Sequence, residues 1–392
     1  MPARVKPSAT NPFRFGRIVT GDAFTDREDD LRVLERELRG GQNILIEAPR
    51  RFGKTSLILE VKRRLEAAGI LVAYLDCMLV PSRARLADRL ASAYLEAFKN
   101  PAQRAEDWVV QHLKAFRVRP TLTVDTDGHV SLSFEAGSAG LPSLDALLEQ
   151  IFQQPEVIAR AGKKKRVVVI LDEFQDLMEL GPTLLRQLRA VIQHQQHVSY
   201  ALLGSRQALL RRAVHERSAP LLKMARPYPL GALPRQEFAS FLMARFRASG
   251  RPVPKDAVYA LIDFTGAHPN DTQEAAHFLW EVALLPVSTQ ELVSTAIARV
   301  LDAEAAQMTV LWHDSAPAQR NLLVALVEWG GRNIYREDYR RRANLGPATT
   351  VQRAIQTLID RELVDLDPRG AYVIKERFFE EWIRRRVVRG EL

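Results

Sequence analysis

The stretch Asn43-Ile44-Leu45-Ile46-Glu47-Ala48-Pro49-Arg50-Arg51-Phe52-Gly53-Lys54-Thr55-Ser56 decides the fold. Its first five residues read as a short apolar strand. A turn holding Pro49 and Gly53 follows, and Thr55 to Ala68 continues as an amphipathic helix. Ala48 to Thr55 matches the phosphate-loop pattern at every position except the first, where alanine replaces glycine. The spacing has a chemical reason: the loop's backbone N–H groups can wrap a β-phosphate, Lys54 can reach the β and γ oxygens, and the Thr55 hydroxyl can ligate Mg2+. Ile70 to Leu75 is a second apolar run, which completes a strand, loop, helix, strand unit of the parallel type.

On the N-terminal side, residues 12–24 are loop-like. Asp26 to Leu38 then places Leu31, Leu34 and Leu38 at helical spacing behind an acidic first turn, and Gly40-Gly41 ends that helix. On the C-terminal side, polar alternation around Asp127-Gly128 predicts a β-hairpin inserted at about residues 117–136. After the basic loop Lys163 to Arg166 comes Val167-Val168-Val169-Ile170-Leu171, which reads as a strand buried on both faces and ends in Asp172-Glu173. A helix from Gly181 to Gln193 and a strand from Val198 to Leu203 follow, closing with Gly204-Ser205-Arg206. The sheet is thus complete by about residue 230. Residues 234–300 read as all-helical, punctuated by Gly266 and Pro269. Beyond 316, helices at Gln319–Trp329, Tyr335–Ala343 and Pro347–Arg361 precede a short strand pair around Asp367 to Gly370, which is the winged-helix order. The expected architecture is an α/β parallel-sheet P-loop NTPase domain (1–232), a helical lid (233–312) and a winged helix (313–392).

Composition bounds the function. With 392 residues, 46% of them hydrophobic and 26% charged, the chain can bury several cores and is neither fibrous nor disordered. The single cysteine, Cys77, excludes an internal disulfide and reads as a small buried residue. The eight histidines have no zinc-ligand spacing. No uncharged 18-residue run and no apolar leader is present, so a cytoplasmic protein without membrane contact is expected. The formal charge of +9 permits contact with phosphate or an acidic surface without requiring it.

The second half of a metal–nucleotide site is Asp172-Glu173. At the tip of a buried strand, Asp172 can hold Mg2+ through water and Glu173 can orient the attacking water as general base. Ser205 and Arg206 end the neighbouring strand, where they can sense a γ-phosphate. Arg217 and Arg226 are candidates for an arginine finger acting across an oligomer. On the third helix of the winged-helix region, Thr349, Thr350, Gln352, Arg353 and Gln356 are placed to meet base edges or phosphates of duplex DNA. The region carries only a small basic surplus, and Arg340-Arg341-Arg342 and Arg384-Arg385-Arg386 read equally well as solvated faces. Phe378, Phe379 and Trp382 read as core residues.

Asn11-Pro12-Phe13, Phe24-Thr25-Asp26-Arg27-Glu28, APRRFGKTS at Ala48–Ser56, VVVILDEFQD at Val167–Asp176 and Thr265-Gly266-Ala267-His268-Pro269 together resemble the archaeal-type ATPase family. That family belongs with the STAND signalling NTPases and is similar to the origin-initiator branch of the AAA+ proteins. The resemblance spans nearly the whole chain. It implies ATP and Mg2+ as cofactors, with Phe24 and Arg27 near the adenine and Pro49, Arg50, Arg51, Phe52, Gly53, Lys54, Thr55 and Ser56 around the phosphates. Asp172 and Glu173 become the Walker B pair, Ser205-Arg206 the sensor, and His268-Pro269 the start of a lid helix facing the nucleotide. Where the family carries aromatic residues after its His-Pro, this chain has Asn270-Asp271. The implied function is a slow ATP-hydrolysing switch whose nucleotide state controls the winged helix and its partner, DNA or protein, with a nucleotide-dependent homo-oligomer in reach. The alternative is an ATP-dependent DNA-binding initiator or regulator. A small-molecule kinase fits less well, because Glu173 and the helical lid favour water as the acceptor.

Overall fold

The computed structural model describes residues 10–21, 24, 27–98, 121–124, 130–134, 143–161, 166–205, 210, 221, 223–367 and 369–391. The hairpin turn at Asp127-Gly128, the loop Lys163–Lys165, Arg206 and Arg217 lie outside the described residues. The chain divides into two compact units: Ile18–Gly231, and Ala232–Leu392 together with the N-terminal segment ending at Arg17.

In chain order the first unit runs α1 (Glu28–Gly40), β1 (Ile44–Glu47), α2 (Lys54–Ala67), β2 (Leu71–Asp76), α3 (Arg83–Phe98), β3 (Thr121–Val124), β4 (Val130–Ser133), α4 (Leu144–Ala161), β5 (Val167–Asp172), α5 (Gln175–Met178), α6 (Pro182–Ile192), β6 (Val198–Gly204) and β7 (Arg226–Pro229). Five strands form one sheet in the order β2-β5-β6-β1-β7, and every pairing is parallel. Alternate strand residues feed two apolar layers, as a sheet covered on both faces requires. Ile44, Ile46, Val72, Val168, Ile170, Ala201 and Leu203 pack with α1 and α2 through Leu34, Leu38, Leu57 and Val61. Leu45, Ala73, Val167, Val169, Leu171 and Leu202 face the opposite layer with α3, α4 and α6. Cys77 lies in this second layer, and burial pushes its thiol well up. The predicted hairpin strands β3 and β4 pair antiparallel. Their anchor was not legible in the sequence: the Leu132 and Phe134 amides donate to Ser92 Oγ (2.8 Å) and Asp88 Oδ1 (2.9 Å) on α3.

β7 closes one side of the sheet. The Arg226 amide donates to the Asn43 carbonyl (2.8 Å) and the Leu230 amide to the Glu47 carbonyl (2.9 Å), while Pro227 and Pro229 occupy the alternate positions.

The second unit holds helices α7 (Arg235–Ala248), α8 (Lys255–Thr265), α9 (Pro269–Val282), α10 (Thr289–Ala303) and α11 (Ala305–His313). The winged-helix elements follow: α12 (Pro317–Trp329), α13 (Glu337–Arg342), α14 (Ala348–Asp360), β8 (Val364–Leu366), β9 (Tyr372–Ile374) and α15 (Arg377–Trp382), with π-helical turns over Ile383–Val388. β8 and β9 pair antiparallel, and a bridge from Gly331 to Tyr372 adds a third short edge. One apolar cluster runs from α7 through the winged-helix elements and includes Phe378, Phe379 and Trp382. Among the described residues no helix is long and apolar enough to cross a membrane.

The N-terminal segment is built into this second core. Phe13 is 2% exposed, and its ring centroid lies 4.4 Å from that of Phe246. Asn11 Nδ2 donates to the His277 carbonyl (3.0 Å), and the Gly16 amide donates to Asn270 Oδ1 (2.8 Å). Truncating a buried phenylalanine costs about 3–5 kcal/mol, from lost transfer energy and the cavity left behind. Phe13→Ala is therefore expected to lower hydrogen-exchange protection in α7, α8 and α9 while leaving β1, β5 and β6 near their wild-type protection. Equal losses in both sets of elements would contradict this placement.

Candidate active site

The site grows from the turn after β1. Arg51 (φ 63°) and Gly53 (φ 82°) both take left-handed backbone, which curls the loop and starts α2 at Lys54. Successive amides in such a curl converge into an anion-binding nest, and the N-terminus of α2 adds its partial positive charge. Lys54 is 5% exposed, and its Nζ donates to the carbonyls of Ala48 (3.0 Å) and Pro49 (2.9 Å), so the ammonium is held across the loop. Pro49 and Phe52 are half-buried, whereas Arg50 and Arg51 are exposed.

Two further contacts shape the loop from outside. Arg27 is buried; its guanidinium donates to the Phe52 carbonyl (3.2 Å) and pairs with Asp30 (3.1 Å), which also accepts the Tyr228 hydroxyl. Ser56 Oγ accepts the Val19 amide (3.0 Å). Phe24 packs half-buried on the apolar layer that contains Phe52. Next to it a cleft of ≈ 430 Å³ is lined by Gly21, Phe24, Arg27, Glu28, Leu31 and Glu60 among others.

Because β6 intervenes between β1 and β5, the tip of β5 faces the loop across one strand. Thr55 Oγ1 donates to Asp172 Oδ2 at 2.7 Å. Asp172 is 2% exposed, and burial raises its pKa; the bonds from Thr55 and the Glu173 amide act in the opposite direction, and the Glu173 charge reinforces the rise. A hydroxyl and a carboxylate are the hard oxygen donors that Mg2+ takes, and a divalent cation beside Asp172 would relieve the cost of its buried charge. The residues therefore fit the ion. Thr55 can supply its oxygen directly, and Asp172 can act on the ion's hydration shell.

Glu173 takes φ 48°, left-handed backbone that costs a non-glycine residue about 1–2 kcal/mol. Its Oε2 accepts hydrogen bonds from Ser205 Oγ at 3.0 Å and from the side-chain Nε2 of Gln175. Ser205 itself is buried. Two donors thus hold the Glu173 carboxylate in a defined place. The sequence reading gave Gln175 and Tyr74 no role beside these two carboxylates. Gln175 lay inside the quoted Asp-Glu-Phe-Gln run without a role. Tyr74 was counted among the apolar residues of β2, yet its hydroxyl donates to Asp172 Oδ2 (3.1 Å).

The other predicted residues belong to other elements. His268 caps α9, its Nδ1 accepting the Asp271 amide (3.2 Å), and Pro269 is the first residue of that helix; both belong to the second unit. Arg226 pairs with Glu37 (2.9 Å). Thr349, Gln352, Arg353 and Gln356 are exposed on α14, and Thr350 is half-buried. Gln356 donates to Asp360 (2.9 Å). The arginine runs are largely engaged within the fold. Arg340 donates to the carbonyls of Tyr335 and Gly346, Arg342 lies 4.3 Å from the Trp329 ring centroid, and Arg384 and Arg385 pair with Glu380 and Glu381.

Comparison with known proteins agrees with this fold. The signature of an ATPase domain predominantly from Archaea matches residues 24–274, and the chain belongs to that family. A probable winged helix domain matches residues 307–385. The Walker-type ATPase PABY2304 of Pyrococcus abyssi is similar in fold, at 15% identity and a TM-score of 0.64, over 93% of this chain and 97% of that one. The ORC2 protein of Aeropyrum pernix, solved in ADPNP-ADP complexes, is similar at 16% identity and a TM-score of 0.54, over 95% and 96% of the two chains. No curated protein sequence matches.

Because burial raises the Asp172 pKa, the stability this carboxyl contributes is full below the ordinary aspartate range near pH 4 and is lost as pH rises through the raised value. Asp172→Asn removes that loss. The melting temperature of the variant relative to wild type, measured without nucleotide or metal, is expected to climb with pH through this window and then level off. A difference independent of pH would show that the Asp172 charge costs the fold nothing.

Proposed function

We propose that this protein is an ATP-binding and ATP-hydrolysing switch of the STAND/AAA+ type, with Mg2+ as its metal and a slow turnover, in which nucleotide state controls the C-terminal winged helix and its partner. The observation that carries the reading is the 2.7 Å bond from Thr55 to Asp172, which joins the phosphate loop and the carboxylate strand in one place. Family membership supports ATP as the nucleotide.

In this reading the loop amides and Lys54 bind the phosphates, and Thr55 with Asp172 holds Mg2+, which draws charge from the phosphate oxygens when bound. Glu173 takes a proton from the attacking water through its carboxylate, which Ser205 and Gln175 hold in place. Arg206 reads the γ-phosphate. Phe24 and Arg27 serve the base side of the pocket, and His268-Pro269 opens a lid helix. ATP and ADP shift the equilibrium between states only by their differential affinity for them, so the groups that sense the γ-phosphate matter most for signalling.

For the partner, Arg340, Arg342, Arg384 and Arg385 are engaged within the fold, and Arg353 is the only basic side chain on α14 itself. This supports a protein partner over duplex DNA. An initiator-like role on DNA is the second reading, favoured by the exposed Thr349, Gln352, Arg353 and Gln356. A gel shift with and without ATP at two salt concentrations separates the two, since phosphate contacts give a steep salt slope. Nucleotide-dependent self-association, with a trans-acting arginine, belongs to the same reading and is measured by light scattering with ADP and with a non-hydrolysable analogue.

Lys54→Ala is expected to abolish nucleotide binding. Glu173→Gln is expected to keep ATP bound and to lose about 10²–10⁴-fold in turnover, the usual contribution of a general base. Both are read by equilibrium binding of a fluorescent ATP analogue and by phosphate release. Wild-type hydrolysis by Lys54→Ala would refute the site assignment.

A further inference from the structure

We propose that Tyr74 is a positioning residue for the magnesium site, acting through Asp172 and setting affinity for Mg2+ rather than for the nucleotide itself. The inference rests on the site reading above. β2 and β5 pair in register with Tyr74 opposite Ile170 and Asp76 opposite Asp172. Because side chains alternate along a strand, Tyr74, Ile170 and Asp172 share one face of the sheet, the face covered by α2. Tyr74 therefore reaches Asp172 diagonally across the strand pair, and its hydroxyl donates to Oδ2 at 3.1 Å.

Three donors orient the Asp172 carboxylate. The Glu173 amide holds Oδ1 (2.9 Å), while Thr55 (2.7 Å) and Tyr74 share Oδ2. The Glu173 amide is part of the backbone, and Thr55 is itself the proposed metal ligand. Tyr74 is the donor that can be removed with both of these still in place. Its ring is anchored in the apolar layer beside Val72 and Ile170, so the hydroxyl arrives from a fixed support. Outer-sphere partners of this kind typically change metal affinity by 10–100-fold when removed, because they fix which lone pair of the carboxylate faces the ion.

The test is Tyr74→Phe, which keeps the ring and removes the hydroxyl. A fluorescent ATP analogue is bound to wild type and variant in EDTA and across a Mg2+ titration, and Mg2+ dependence of phosphate release is measured alongside. The expected result is a half-saturating Mg2+ concentration raised about 10-fold. Affinity in EDTA and turnover at saturating Mg2+ should stay within about two-fold, since neither passes through Asp172 orientation once the ion is bound. In an Asp172→Asn background the same substitution should add nothing, because the two residues act through one contact. Unchanged Mg2+ dependence in Tyr74→Phe, with a Mg2+-dependent wild type, overturns this proposal alone. Equal weakening with and without Mg2+ overturns it too, and assigns Tyr74 a purely structural role. Wild-type binding that ignores Mg2+ overturns the proposal together with the site reading on which it stands.

Discussion

The hydrogen bond between Thr55 and Asp172 is the constraint on which the architecture turns. It joins the first turn of α2, the helix that follows β1, to the tip of β5, and β6 alone separates β1 from β5. A burial so complete would ordinarily exclude a carboxylate, since taking its charge out of water is costly. Three donors compensate in part, and the raised pKa records what they leave uncompensated. The fold has therefore placed a buried charge that a bound cation would stabilise further. Its neighbour Glu173 carries a second cost, the left-handed backbone, at the adjoining position. Backbone strain and buried charge are thus concentrated in two consecutive residues at the tip of β5.

Much of this was legible in the sequence because its signals are local. The phosphate loop is encoded in the spacing of Gly53, Lys54 and Thr55, and β5 in a run of β-branched residues that only a strand covered on both faces accepts. Helix ends followed the same logic: Gly41 and Gly266 take left-handed backbone at the ends of α1 and α8, and Pro269 opens α9. The winged-helix order followed from three helical periods and one turn.

What escaped the reading depends on contacts distant in sequence. Nothing near Phe13 announces Phe246, so the N-terminal segment gave no sign that it belongs to the second unit rather than to the domain it precedes in the chain. Tyr74 looks like any other residue of an apolar strand until β5 lies beside it. The arginine runs show a related gap. In the sequence each is a local basic cluster or a solvated face, and only the fold shows that Arg384 and Arg385 meet Glu380 and Glu381 one helical turn away and that Arg342 settles on the Trp329 ring. Net charge sums residues without regard to which of them have already found partners.

The two prolines of β7 have a consequence for assembly. The Arg226 and Leu230 amides point toward β1, so positions 227 and 229 are those whose donors would face outward. Proline has no such donor. The outer margin of this strand thus offers carbonyls without matching N–H groups, and an incoming strand would find half its ladder missing. Growth of the sheet is blocked on that flank, and any multimer that uses it must be stitched by side chains instead of shared backbone.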